Sequence, residues 1–351
     1  MVPLDPVVHV TASLETADSN GSVKRHDGPV DVLVVGAGER GKVYGGFSLD
    51  NPSKCRVIGV AEPSDRRREQ YLSIHKDIKH VFRDWRELLA LPKLAEAVVV
   101  CLQDQMHAEC VVALAGKGYH IMCEKPMAIT PQDCAAITRA VLDAGVVFAV
   151  GHVLRYSPYN ITLKSLLNSG IIGDLINVVH VEPVGWWHYA HSYVRVSSWT
   201  DTTSDLDILC HYFGSSHPPR RVHSFGSLTH FRRDQKPAEA GTATRCTDCS
   251  YEPNCSYSAP RLYLDSTRHD DRGWPASVIC GGMNPDIEQI HEALRTGPYG
   301  KCVYESENDV CDHQVVNIEF EGGRTASFTM VAFAELICER QTRLHGTRGE
   351  L

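Results

Sequence analysis

A chain of 351 residues is long enough for two domains at the usual ~100–200 residues each, and 43% hydrophobic with 22% charged side chains is ordinary globular composition, which excludes disorder, collagen and fibre. Lys plus Arg total 35 against 43 for Asp plus Glu, a net charge of −8 without a basic block, so neither a nucleic acid nor an anionic membrane is the expected partner. No apolar run approaches the ~20 residues that span a bilayer, and the 13 cysteines are odd in number and mostly in apolar strand-like surroundings such as Cys101 and Cys123; the expectation is a soluble cytoplasmic protein with reduced thiols and a small-molecule substrate.

Residues 1–29 are rich in Ser, Asp, Thr and Gly without a sustained period and read as a flexible leader. Next, Asp31-Val-Leu-Val-Val runs straight into Gly36-Ala-Gly38-Glu39-Arg40-Gly41, an apolar strand meeting G-x-G-x-x-G at the start of a helix. Each glycine has a task in holding a dinucleotide: Gly36 for the tight turn, Gly38 for close approach of backbone to a pyrophosphate, Gly41 for packing helix on strand. Glu39 and Arg40 lie inside the loop and join the cofactor-binding candidates. The next strand, Arg56–Ala61, ends at Glu62, roughly 20 residues on, where a carboxylate accepts hydrogen bonds from ribose hydroxyls and repels a 2′-phosphate. That favours NAD, with NADP as the alternative because Arg66, Arg67 and Arg68 follow.

Short β-branched runs at Ala97–Cys101, His120–Cys123 and Val146–Val150 then alternate with helical stretches such as Met106–Lys117 and Pro131–Ala144, the pattern of a doubly wound parallel sheet covered on both faces. This dinucleotide-binding domain is expected to occupy 30–150. Lys125, in Cys123-Glu124-Lys125-Pro126, falls at the carboxyl end of a strand, where open parallel sheets place their ligands; it is either near a nicotinamide or a solvated loop lysine.

From 151 to 351 the texture changes to a helix over Tyr159–Ser169 and longer alternating strands at Asn177–Val184 and Val222–Phe231. Val316, Ile318 and Phe320 alternate up to Glu321-Gly322-Gly323, and Ala326, Phe328 and Met330 alternate back, a hairpin in an α+β domain on a largely antiparallel sheet. Residues 234–275 are irregular and read as a long surface excursion. Within it, Cys246, Cys249 and Cys255 offer three thiols; tetrahedral zinc needs a fourth ligand, such as Cys280, His230 or His269, and free thiols are the alternative to zinc.

The glycine fingerprint, Glu124-Lys125-Pro126 and the upstream Asp104-Gln-Met-His107 together resemble the glucose–fructose oxidoreductase/inositol dehydrogenase (Gfo/Idh/MocA) family, over residues 30 to 351. The resemblance implies a Rossmann domain, a second domain whose open sheet serves homo-oligomerisation, and hydride transfer between a sugar-like carbinol and a nicotinamide. Lys125 would touch the nicotinamide ribose and the substrate hydroxyl, its bond to Pro126 would be cis, and Glu124 would orient the lysine or the cofactor. Gln103 to His107 match the loop along the cofactor, His107 being either a contact or a helix-start residue with no ligand. His152 and Arg155, in Gly151-His-Val-Leu-Arg-Tyr156, are candidate substrate contacts. So are Trp187 and His188 of Trp186-Trp187-His188-Tyr189, with aromatic packing as the alternative; His188 is also a candidate acid/base.

Relatives carry Asp-x-x-x-His on a helix of the second domain, the His acting as acid/base. Aligning on Asp205-Leu-Asp207 puts Ser204 at the His and Thr200 at the Asp, and the stretch 196–204 looks shortened. Asp201, Asp205, His188 or His211 are the substitutes at hand. His345 to Leu351 resembles the start of a family hairpin whose return strand would follow. Two other functions stay open: a cofactor-binding pseudoenzyme, and a glycosidase using NAD transiently.

Overall fold

The computed structural model describes residues 28–196, 202–267, 273–281 and 285–351. Most of the expected leader, and Thr200, Asp201 and His269 with it, therefore lie outside the described residues. Two compact units meet in sequence between His152 and Val153.

The first unit runs β1 (Val30–Val35), α1 (Glu39–Asp50), β2 (Cys55–Ala61), α2 (Asp65–Ile74), β3 (His80–Phe82), β4 (Ala97–Val100), α3 (His107–Gly116), β5 (His120–Cys123), α4 (Pro131–Asp143) and β6 (Phe148–Val150). All six strands are parallel, in the order β3-β2-β1-β4-β5-β6 of a doubly wound nucleotide-binding sheet. Because side chains alternate across a strand, the apolar run of β1 serves two cores. Leu33 and Val35 pack with Val98, Val100 and Leu114 on one face, and Val34 with Val57, Val60 and Tyr71 on the other. The chain order reverses direction between β1 and β4, which opens the crevice at the ends of those strands.

The second unit contains α5 (Pro158–Asn168), β7 (Leu175–Gly185), α6 (Trp186–Tyr189), α7 (Thr203–Phe213), β8 (Pro219–Ser227), α8 (Ala259–Thr267), α9 (Ala276–Cys280), α10 (Ile287–Thr296), β9 (His313–Phe320), β10 (Arg324–Ala334), β11 (Gln341–Gly346) and β12 (Gly349–Glu350). Its sheet is mixed and mostly antiparallel, in the order β12-β11-β7-β10-β9-β8, with β7 and β10 as the parallel pair. The hairpin alternation is as expected: Val316, Ile318, Phe320, Ala326, Phe328 and Met330 are all buried and pack with Ile208 and Leu209 of α7. The expected strand at 222–231 begins earlier and stops at Ser227. The backbone N–H groups of Thr229 and His230 turn away to the buried Asp312 carboxylate, at 2.8 and 2.7 Å, and so leave the ladder.

The irregular stretch corrects one expectation. After four short 3₁₀ turns it folds into α8, and Cys246, Ala259 and Tyr263 join Ala276, Ile290 and Leu294 in a core of their own, so the excursion is a small packed subdomain rather than surface loop. His191 sits against this core, 2% exposed, with Nδ1 2.7 Å from the Tyr263 hydroxyl and its ring stacked on Tyr299. Burial, helped by the nearby His188 and Arg195, pushes its pKa down to about 3. The folded state keeps this imidazole neutral while the unfolded chain protonates it below ~6.5, so stability falls as pH drops from there towards 3, by ~1.4 kcal/mol per pH unit from this group. Urea midpoints measured from pH 7 to 4 should decline less steeply in His191→Gln than in the parent; parallel curves would exclude His191 as the source.

Candidate functional site

At the end of β1 the chain turns through Gly36, whose φ of +92° is open to glycine and strained for other residues. A Cβ there would lie 2.4 Å from the carbonyl oxygen of Cys101, and one on Gly41 would lie 2.0 Å from that of Gly36. These two glycines are demanded by packing. Gly38 is different: a Cβ there meets nothing within 4 Å, and as N-cap of α1 it makes no side-chain hydrogen bond. The helix therefore presents its first-turn N–H groups and the positive end of its dipole beside open space, the arrangement that receives an anion. Glu39 pairs with Lys42 at 2.9 Å along the exposed face.

Glu62, 3% exposed, accepts the N–H of Ala37 at 2.8 Å and that of Ser64 at 2.9 Å, bracing the glycine turn against the loop that follows β2. Of the three arginines beyond it, Arg68 is turned inward, donating to the Glu62 carbonyl at 2.6 Å and pairing with Asp65; Arg66 and Arg67 remain on the surface.

The loop after β5 is held from both sides. The Lys125–Pro126 peptide is cis. Glu124, 5% exposed, accepts the backbone N–H of Lys125 at 2.7 Å through one carboxylate oxygen; the other accepts Arg40 Nε at 2.6 Å and the Tyr44 hydroxyl at 2.8 Å. Arg40 also donates to the Tyr44 oxygen at 2.8 Å. Burial beside the Glu124 carboxylate pushes the Tyr44 phenol up, keeping it a donor at neutral pH. Tyr44 escaped the sequence reading; its one signal was its position a helical turn after Arg40 on α1. On the other side, His107 opens α3 fully enclosed, Nδ1 2.8 Å from the Pro126 carbonyl and Nε2 3.1 Å from that of Leu102. Both ring nitrogens are occupied by backbone, so His107 braces this loop instead of contacting a cofactor. Gln103 is exposed and starts the short turn before it. Glu124 thus orients the lysine through its main chain, the first of its two expected roles, while Arg40 turns Nε and Nη2 to Glu124 and Tyr44.

In the second unit, Arg155 forms a two-pronged pair with Asp207 at 2.7 and 2.6 Å, tying the turn at Val153–Tyr156 to α7 in place of the expected substrate contact. Ser204 is 4% exposed. Asp205 is fully enclosed between Arg340, at 2.6 Å, and His180 Nε2, at 3.0 Å, with Arg340 also 2.7 Å from Glu182. Burial alone would raise the Asp205 carboxyl, and these partners outweigh it and hold it below the usual carboxylate range. Asp205 is thus a buried brace and not a substitute acid/base. Burial likewise lowers His211. His188 lies 5.1 Å from the Trp274 ring, centroid to centroid, with Nδ1 3.2 Å from the Ser192 hydroxyl. Trp187 packs on Trp274 at 5.3 Å and also lines a cavity of about 340 Å³ with Trp186, Arg195, Tyr257 and Arg261. His152 ends the first unit, half-buried, after Gly151. All thirteen cysteines are free, and among the described residues Cys246, Cys249 and Cys255 form no group of three that holds a metal, alone or with Cys280 or His230.

Residues 30–152, the strands and loops that carry the glycine turn and the Lys125 loop, match the family described as an oxidoreductase family with an NAD-binding Rossmann fold. They belong to the Gfo/Idh/MocA oxidoreductase family. Among curated relatives, the 2,7-anhydro-N-acetylneuraminate hydratase of Escherichia coli K12 is 26% identical over 153 residues, 44% of this chain and 39% of that protein. An inositol 2-dehydrogenase of Pseudomonas savastanoi is 30% identical over 149 residues, 40% of this chain and 44% of that protein. The chain thus matches less than half the length of either. The scyllo-inositol dehydrogenase of Lactobacillus casei, solved with NAD(H) and scyllo-inositol, shares the fold at a TM-score of 0.60 and 13% identity, covering 92% of this chain and 75% of that one.

The residues present fit the dinucleotide of a Gfo/Idh/MocA Rossmann domain. The space a side chain at Gly38 would fill lies at the start of α1, and an acid, Glu62, directly follows β2. No helix among the described residues is long and apolar enough to cross a membrane.

Proposed function

We propose that this chain is an NAD-dependent oxidoreductase that moves a hydride between a C–H of a sugar, cyclitol or related polyol and nicotinamide. The observation that supports it most is that one unit carries both an anion-ready glycine turn and, at the end of β5, a lysine whose backbone is clamped by Glu124 and followed by the His107 brace. The inositol dehydrogenases among the relatives and solved structures support the polyol class.

Gly36, Gly38, Gly41 and the first turn of α1 would hold the pyrophosphate, and Glu62 the adenosine ribose hydroxyls. The bound dinucleotide supplies the hydride donor or acceptor. Lys125 Nζ would hold the substrate hydroxyl and move its proton as the carbinol becomes a carbonyl. His152, Trp187 and His188 are the proposed substrate-facing side chains, aromatic faces suiting the apolar face of a ring. Glu62, with Arg68 turned inward, favours NAD over NADP. The free face of the second sheet, with Val179, Val315 and Phe333 each about two-fifths exposed, suits homo-oligomerisation, and thirteen free thiols suit the cytoplasm.

Calorimetric titration should find NAD bound at least tenfold more tightly than NADP, followed by turnover in a screen of polyols and sugar acids. No measurable affinity for either dinucleotide would sink the proposal.

A further inference from the structure

Of the two α1 side chains that secure the Lys125 loop through Glu124, Arg40 lies within the glycine fingerprint and Tyr44 lies outside both it and the Glu-Lys-Pro motif. We propose that Tyr44 is a positioning residue for Lys125: with Arg40 it fixes one oxygen of Glu124 so that the other holds the Lys125 main chain in place. The inference rests on the proposed oxidoreductase reading.

Three features of the first unit carry it. Glu124 is 5% exposed, and a carboxylate so enclosed needs partners on both oxygens to be stable there. Its Oε1 receives two donors, the Tyr44 hydroxyl and Arg40 Nε, and those two are themselves joined by Arg40 Nη2 donating to the Tyr44 oxygen. This triangle leaves the carboxylate one orientation, in which Oε2 meets the Lys125 N–H at 2.7 Å. Second, the guanidinium lies over the Tyr44 ring, 4.9 Å from its centroid, so the phenol also sets the position of the cation. Third, the chain leaves room for the hydroxyl: a Cβ on Gly151 would lie 2.8 Å from the Tyr44 oxygen and 3.4 Å from Glu124 Oε1, which accounts for glycine at a position without a positive φ. The His107 imidazole holds the carbonyl of the next residue, Pro126. The main chain at Lys125 and Pro126 is therefore held from both sides. Because Arg40 and Tyr44 stand on α1, whose first turn is the proposed pyrophosphate site, the same helix sets the cofactor and the lysine.

The test compares Tyr44→Phe, which removes only the hydroxyl, and Gly151→Ala, which crowds it, with the parent and with Lys125→Ala. Amide hydrogen exchange needs no substrate: in Tyr44→Phe the Lys125 amide should exchange at least tenfold faster while the amides of Val34 and Val98 in the central strands keep their protection. On a substrate found in the screen, kcat should fall about tenfold with the Kd for NAD and the KM within about threefold, because a misplaced proton-transfer group costs rate more than binding. Gly151→Ala should reproduce both effects. Unchanged Lys125 exchange in Tyr44→Phe overturns the inference, as does unchanged kcat where Lys125→Ala loses activity. If Lys125→Ala keeps full activity, the oxidoreductase role of Lys125 fails instead, whatever the exchange data show.

Discussion

Lys125→Ala should lower the catalytic rate by ~10² or more while leaving NAD affinity within a few fold, because the interaction grows as alkoxide character develops on the substrate oxygen and is small in the ground state. The main chain around position 125 depends on Glu124 and on His107 at the Pro126 carbonyl, so removing the side chain beyond Cβ should leave the loop where it is. Steady-state kinetics with calorimetry on the same preparations check both halves. A variant that turns over a confirmed substrate as fast as the parent removes Lys125 from the mechanism. Firm NAD binding with no substrate for either protein would instead bring forward a cofactor-binding pseudoenzyme, for which the buried Ser204 at the position of the expected histidine is the motive.

The second large effect separates two glycines that look alike in the fingerprint. Gly38→Phe should abolish NAD binding, by at least ~10², yet leave the unfolding midpoint nearly unchanged: a side chain there meets nothing in the protein and fills the space in front of the α1 N-terminus. Gly41→Ala should do the opposite first, since its Cβ would stand 2.0 Å from the Gly36 carbonyl oxygen and the helix must move off the strand, at a cost of about 1–3 kcal/mol or more in stability. Thermal unfolding and calorimetry of the two variants distinguish the roles. If Gly38→Phe binds NAD normally, the pyrophosphate does not lie where the open turn points.

The glycine turn, the parallel strands and the Lys125 loop were legible in the chain because each depends on neighbours in sequence: Gly36 on its own φ, β1 on an unbroken apolar run, the hairpin at Gly322 on period-two alternation. The polar braces were not legible, because they join groups far apart along the chain that only folding brings together. Tyr44 reaches Glu124 across 80 residues, His180 reaches Asp205 across 25, and Arg340 reaches Asp205 across 135. Periodicity reports which face a residue occupies and says nothing of which charge waits there. Hence Asp205 and Arg155 read as free chemistry in the sequence and are ion-paired in the fold, His107 read as a cofactor contact or a helix-start residue and is enclosed between the Pro126 and Leu102 carbonyls, and the stretch from 234 to 275 read as surface because its core, Tyr263 against Ile290 and Leu294, is made with a helix beyond it. Local conformational preference and burial pattern belong to the sequence; the pairing of buried polar groups is settled by the tertiary structure, since each such group must find its partner wherever the packed chain provides one.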